Sequence, residues 1–221
     1  MPDANRWPRM FIKGQIPFAG RFSPAQTSKL KDTPMVLDGN DFEVIEACRR
    51  GDPDAFRALF ETYQDKVYSI ALRYSGERTV ALDIAQDVFV KLLSSLKDFR
   101  GDAGFESWLY RLVVNRCLDH HRRTRRIRLL MEDVLHLFTS SRETALHNLL
   151  RTEIEAQVQR GIAKLAPEQR MVVVLRYTEG LSYEEIAAIL GCSQGTVASR
   201  LNRAHKILEK RLANLRREGH A

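Results

Sequence analysis

Long apolar runs are missing from this chain. Nowhere do about 18 apolar residues follow one another, the length a membrane-crossing helix needs, and the start MPDANRWPRMFIKGQIPF lacks the continuous apolar centre of a secretory signal. The chain is therefore expected in the cytoplasm, with no direct membrane insertion. Cysteine is scarce: Cys48, Cys117 and Cys192 make three in 221 residues, an odd and scattered set that excludes a disulfide framework and leaves reduced thiols as the default. No Ser/His/Asp arrangement, Gly-rich phosphate loop or paired-carboxylate signature stands out, so no catalytic residue and no cofactor is expected. Cys117 with His120 and His121 forms a C-x-x-H-H cluster. Structural zinc takes four ligands and no second cluster is visible, so the plainer reading is a buried thiol beside basic surface histidines, with no metal site.

Cations, by contrast, are in excess. With 35 Lys and Arg against 28 Asp and Glu, the formal net charge is +7, which makes nucleic acid the natural partner. A hydrophobic content of 44% is enough for a core in each of one or two domains. Residues 1–40 hold most of the prolines and show no helical period, and are read as a disordered extension, either a passive tail or an arm touching DNA or a partner through Arg6, Trp7, Arg9 and Phe11. From Asp41 the pattern becomes helical. Asp52 as cap and Pro53 in the first turn open a long helix whose Phe56, Leu59, Phe60, Tyr63, Val67, Ile70, Ala71 and Tyr74 recur at spacings of three and four. A second helix carries Val80, Ile84, Val88, Leu92 and Leu96 on one face and Asp83, Gln86, Asp87 and Lys91 away from it. FRGDAGFESW interrupts, and a last helix from near Phe105 to Arg122 buries Trp108, Leu109, Leu112 and Val113 before ending in HHRRTRRIR.

The strongest local signal lies between Leu181 and Leu208. Ser182 with Glu185 reads as a capping box starting a helix at Tyr183, Gly191 as its left-handed end, and Ser193 as the cap of a second helix. Ala187 and Gly191 are small where the two helices approach, while Val197, Leu201 and Ala204 form the packing stripe. Gln194, Ala198, Ser199, Asn202, Arg203 and Lys206 are left facing outward, a mixture of amide, hydroxyl and cationic groups suited to base edges and phosphates. Such a pair of helices can also be a plain structural corner. The fold class expected is all-α, with two helical domains joined by a flexible linker and the C-terminal one a helix-turn-helix. The boundaries read as 41–123 for the first domain, 124–144 for a basic, partly helical linker, 145–213 for the second domain and 214–221 for a tail.

The segments DIAQDVFVKL, FRGDAGFESWLYRLVVNRCLDHHRR and LAPEQRMVVVLRYTEGLSYEEIAAILGCSQGTVASRLNRAHKIL, in this order and separation, resemble the extracytoplasmic-function sigma factors of bacterial RNA polymerase. The resemblance covers nearly everything from Asp41 to Leu212, while residues 1–40 have no counterpart in the family's minimal layout. It implies that Asp83, Gln86, Asp87 and Lys91 dock on the clamp helices of the beta-prime subunit, and that the second domain meets the beta flap. It also implies that a loop and helix bind and open the minus-ten element through Phe99, Arg100, Gly101, Asp102, Phe105, Arg111, Asn115, Arg116, Arg122 and Arg123. A base can enter a pocket only after unstacking, at a cost of a few kcal/mol. The second helix of the helix-turn-helix would read the minus-thirty-five element through Gln194, Thr196, Ser199, Arg200, Asn202, Arg203 and Lys206. Ala198 stands where many relatives have arginine, which implies a different preferred sequence. Core RNA polymerase, promoter DNA and an anti-sigma factor are the implied partners.

Two rivals remain open from residues alone. A dimeric helix-turn-helix regulator with an N-terminal sensor bundle would bind a palindrome without polymerase. An enzyme or metal sensor using Cys117 and His120 would hold stoichiometric zinc or iron.

Overall fold

The computed structural model describes residues 39–99, 104–135 and 153–218, and every regular element among them is helical. Helix α1 (Gly39–Arg49) leads into α2 (Pro53–Ser75), α3 (Arg78–Ser95), a 3-10 turn (Leu96–Asp98) and α4 (Phe105–Leu135). After residue 152 come α5 (Glu153–Ala163), α6 (Pro167–Thr178), α7 (Tyr183–Leu190) and α8 (Gln194–Glu218). Residues 1–38, Arg100, Gly101, Asp102 and Ala103, residues 136–152 and residues 219–221 lie outside the described set, and with them the expected disordered extension and the centre of the linker.

Local chemistry sets the helix boundaries. The Asp52 carboxylate accepts from the amides of Asp54 at 2.9 Å and Ala55 at 3.3 Å, and Pro53, which has no amide to satisfy, takes the first position of α2. The stripe expected on α2 is buried along its whole length, from Phe56 to Tyr74. It packs on α3 through Ile84, Ala85, Val88 and Leu92, with Phe60 and Phe89 ring centres 4.7 Å apart. Each of the larger apolar side chains contributes about 1.5–3 kcal/mol on burial. Helix α4 closes this half against α2 and α3.

In the second half, α6 is nearly all core: Met171, Val172, Val173, Val174 and Leu175 are buried in succession. Such a run is too broad for a surface helix and marks one covered on several sides; α8 and α7 take part of it and α2 and α4 of the first half take another part. Two lengths differ from the sequence reading. Helix α4 does not stop near Arg122 but runs to Leu135, so the start of the linker continues the helix without a break, and α8 passes Ala213 to reach Glu218. Arg, Leu and Glu sustain a helix on propensity alone, without the apolar period that marks one in sequence.

Candidate nucleic-acid and polymerase interfaces

The helix-turn-helix is built by its caps. The Ser182 amide donates to Glu185 Oε2 at 2.7 Å while the Glu185 amide donates to Ser182 Oγ at 3.2 Å, starting α7 at Tyr183. Gly191 ends it with φ of 61°, and the Thr196 amide donates to Ser193 Oγ at 3.2 Å to start α8. No heavy atom lies within 4 Å of where a Gly191 side chain would begin. The glycine is therefore needed for its left-handed backbone and not, as its small size suggests, for a close helix approach. Val197, Leu201 and Ala204, at most 1% exposed, fix the rotation of α8 against Ile186, Ala187 and Ile189. That rotation leaves Gln194, Ser199, Asn202, Arg203 and Lys206 exposed on one long surface. Thr196 and Arg200 are half-buried: the Thr196 hydroxyl is paired with Ser193 at 2.9 Å, and the Arg200 guanidinium lies 3.9 Å from the Cys192 sulfur. Both sit nearer the turn than the tip of the reading face. At the far side, Tyr177 Oη pairs with His205 Nε2 at 2.8 Å, and Arg176 donates to the Leu181 carbonyl at 2.8 Å, bracing the connection into α7.

The polar face of α3 also forms as a unit. Asp83, Asp87 and Lys91 are exposed and Gln86 is half-buried. Between them stands Val90, 59% exposed, one turn beyond Asp87. The charge pattern of the helix does not single it out. Positions 83, 86, 87 and 90 lie on one side of a 3.6-residue helix, and a lone valine inside an otherwise charged stripe was the available signal. Charged residues ringing an exposed apolar one is the composition of a protein-docking patch.

The aromatic residues expected to enter a base pocket are a correction. Phe99 is 6% exposed and Phe105 not at all; their rings meet edge to face at 5.7 Å, with Trp108 at 5.1 Å from Phe99 and Tyr63 at 5.3 Å from Phe105. Rings locked in this cluster have no free face for a base. Phe99 and Phe105 are fixed by this packing, and Gly104, at φ of 59°, turns the chain into α4. Arg100, Gly101 and Asp102 fall outside the described residues. Trp108, half-buried in the same cluster, belongs to the core as expected. On α4, Asn115, Arg122 and Arg123 are exposed and Arg111 and Arg116 half-buried, and the cationic surface continues through Arg125, Arg126 and Arg128, all exposed. Arg122 is tied to Asp119 at 3.0 Å, an exposed pair of little energetic weight that leaves the guanidinium available.

Cys117 is wholly buried, and burial pushes its thiol up to about 12. A thiol held protonated in the core is inert as nucleophile and as ligand. Its helix stripe, Tyr110, Val114, Cys117 and His121, faces the second half of the molecule. Tyr110 donates to Glu179 at 3.1 Å, and His121 is held below its ordinary value by burial and by Arg170 of α6. Glu179, half-buried at the end of α6, has its carboxyl raised above the usual range by burial, against the opposing pull of Tyr110 and Lys66.

Comparison with known proteins bears on all of these surfaces. Residues 59–127 match the family described as Sigma-70 region 2, and residues 155–208 match Sigma-70, region 4. The RNA polymerase sigma-H factor of Pseudomonas aeruginosa is 36% identical over 193 residues, covering 83% of this chain and 100% of that protein. The ECF RNA polymerase sigma-E factor of Escherichia coli (strain K12) is 36% identical over 183 residues, 79% of this chain and 95% of that one. Among solved structures, CnrH in complex with the cytosolic domain of CnrY superimposes with a TM-score of 0.57 at 27% identity, over 79% of this chain and 97% of that one.

Proposed function

This chain belongs to the extracytoplasmic-function sigma factors of bacterial RNA polymerase, and from that membership we propose how its surfaces divide the work. As a sigma factor it directs core polymerase to promoters, recognises the minus-ten and minus-thirty-five elements and promotes melting of the DNA where transcription starts. The two promoter-reading domains are read as residues 41–123 and 145–213, a reading supported by matches lying inside or across them at 59–127 and 155–208. No described helix is long and apolar enough to cross a membrane, and the protein's place of action in this reading is the cytoplasm, with the polymerase. It needs no catalysis of its own.

The observation that carries the assignment is the exposed face of α8, presented by a doubly capped helix-turn-helix in the matched region 4. Asn202 and Arg203 offer amide and guanidinium donors to base edges in the major groove, and Ser199, whose hydroxyl donates to the Thr196 carbonyl at 2.9 Å, offers an acceptor oxygen, with Gln194 at the helix start and Arg200 and Lys206 toward phosphates. On α4, Asn115 and the arginines from Arg111 to Arg123 take the minus-ten strand, with Arg100, Gly101 and Asp102 the candidates to meet the extruded base. The Asp83, Gln86, Asp87, Val90 and Lys91 face takes the clamp helices of the beta-prime subunit: acidic groups on a molecule of net charge +7 register a basic partner. The outer face of the second domain meets the beta flap, and an anti-sigma factor holds the protein silent by covering such faces.

The test is transcription in vitro from a randomised promoter library by bacterial core polymerase, with and without the purified chain. Initiation that depends on the chain, at two spaced elements, is the expected result. Autonomous binding to a palindrome with no initiation would replace this reading with a dimeric regulator.

A further inference from the structure

Helix α1 carries none of the promoter or polymerase surfaces, yet it is tied to one of them. It packs on α2 and on the 3-10 turn Leu96–Asp98, with Ile45 and Cys48 buried. Its last residue, Arg49, reaches 47 positions along the chain: Arg49 Nε donates to the Leu96 carbonyl at 3.1 Å.

Leu96 follows α3 and opens the 3-10 turn, a place where carbonyls run out of helical partners. Here the carbonyl has two. The Phe99 amide donates to it at 3.2 Å within the turn, and Arg49 donates from α1; the two lone pairs of one oxygen accept both. The cation also lies at the negative end of α3. The guanidinium is itself held, because Nη1 is paired with the Glu46 carboxylate one turn back on α1. With the Arg49 side chain 27% and that of Glu46 33% exposed, the ion pair adds little to stability. Its consequence is direction: Glu46 and Arg49 meet Leu96 as one unit.

The held carbonyl governs how the chain leaves α3. Three residues on stands Phe99, its ring packed on Phe105 and Trp108, and Arg100, Gly101 and Asp102 follow it directly. The aromatic cluster fixes the Phe99 side chain, while the Leu96 carbonyl orients the turn that delivers its backbone. Groups that must meet a target atom tolerate little displacement, and about 1 Å is already costly.

We infer that Arg49 is a positioning residue for minus-ten recognition, holding from α1 the turn that delivers Arg100, Gly101 and Asp102 to the extruded base. This rests on the reading that those three residues meet that base. Arg49 acts through the Leu96 carbonyl and touches no DNA.

The experiment uses the full-length chain, free and in complex with core polymerase, on the promoter selected from the randomised library. Competition between minus-ten sequences differing at one base at a time reads the preference. Hydrogen exchange at the Phe99 amide, which donates to the same carbonyl, reads the turn in the free chain without DNA. In Arg49→Ala the preference at one minus-ten base should fall about threefold to tenfold and Phe99 exchange should quicken by a similar factor, the range that one net hydrogen bond controls. Helical circular dichroism and core binding should be retained. Arg49→Lys, which keeps the charge and a donor, should recover most of the preference. Arg50→Ala removes the same charge from the exposed neighbouring position and should leave the preference at that of the parent.

An unchanged preference in the folded Arg49→Ala chain would overturn the positioning role, and unchanged Phe99 exchange would overturn the brace. Uniformly weaker binding at every base, with a salt slope reduced by about 1, would replace both with a phosphate contact. Glu46→Gln separates the alternatives again and serves where Arg49→Ala does not fold. It removes a negative charge and frees the guanidinium, so a phosphate contact would strengthen, whereas the positioning role requires a partial loss of the same base preference. Absence of chain-dependent initiation at any promoter would overturn the sigma-factor reading and with it the role in recognition, while faster Phe99 exchange in Arg49→Ala would still show the brace.

Discussion

Arg203 stands exposed on α8 one turn after Ser199 and beside Asn202. A bidentate guanidinium contact to guanine is worth about 1–3 kcal/mol of discrimination, so Arg203→Ala should weaken minus-thirty-five recognition by about that amount and flatten the preference at a single base pair. Binding competition across single-base variants of the element checks this; uniformly weaker binding with unchanged preference would put Arg203 on a phosphate. Two titratable groups where the halves meet make opposite demands. Burial raises the Glu179 carboxyl in the folded chain, where it faces Tyr110, Glu106 and Lys66. The folded chain then holds that proton more tightly than the unfolded one, so acidification from the raised value toward ordinary carboxylate values stabilises the fold through it. His121, facing Arg170 and Glu168 of α6 and Arg125 and Arg128 of its own helix, is held low by burial and by Arg170. Acidification through the ordinary imidazole value of 6.5 therefore destabilises the fold through it. His121→Asn should lessen the fall in Tm on acidification and Glu179→Gln should deepen it; thermal unfolding across pH would refute the pair of assignments if both variants moved the same way.

Helix ends were legible in the sequence wherever a side chain serves its own neighbours. Asp52, Ser182, Glu185, Gly191 and Ser193 act within three residues, and all cap as their order along the chain implies. Gly191→Ala tests this locality: space is open around it and the backbone is left-handed, so the loss should be about 1–2 kcal/mol of backbone strain with no packing contribution. Thermal unfolding would show a small drop in Tm; a much larger one would mean that the turn carries contacts not seen around the glycine. Less legible were elements whose partners are far away in the chain. Phe99 and Phe105 flank a polar loop and look presented, yet Tyr63, some forty residues earlier, closes the cluster that buries Phe105. The Tyr110, Val114, Cys117, His121 stripe of α4 meets the second half of the molecule, and nothing in the local pattern announces a second domain lying on it. On α3 the sequence placed the polar face well and omitted Val90. Asp83→Arg with Asp87→Arg should impair polymerase docking and leave the helical fold intact, since both residues are exposed. Retained core binding by the folded double variant would remove that face from the interface.

On the scale of the whole molecule, recognition is divided between two surfaces on a tether, neither of which needs to be strongly specific alone. When both are fixed to polymerase, binding of one element raises the effective concentration of the other surface at the second element. That gain depends on geometry. With about 10–10.5 base pairs per helical turn, inserting about 5 base pairs between the elements turns the second one to the opposite face of the duplex and moves it by about 17 Å. Inserting about 10 restores the face at twice the displacement. Fixed to polymerase, α4 and α8 cannot follow the rotation, so a half-turn insertion should reduce chain-dependent initiation to that of a promoter with the minus-thirty-five element scrambled. A full-turn insertion should do no better, because the polymerase holds the distance as well as the angle. A freely tethered second domain would instead recover activity at the full turn. Transcription from this spacing series separates the two arrangements, and recovery at about 10 base pairs would show that the polymerase does not hold the second domain in place.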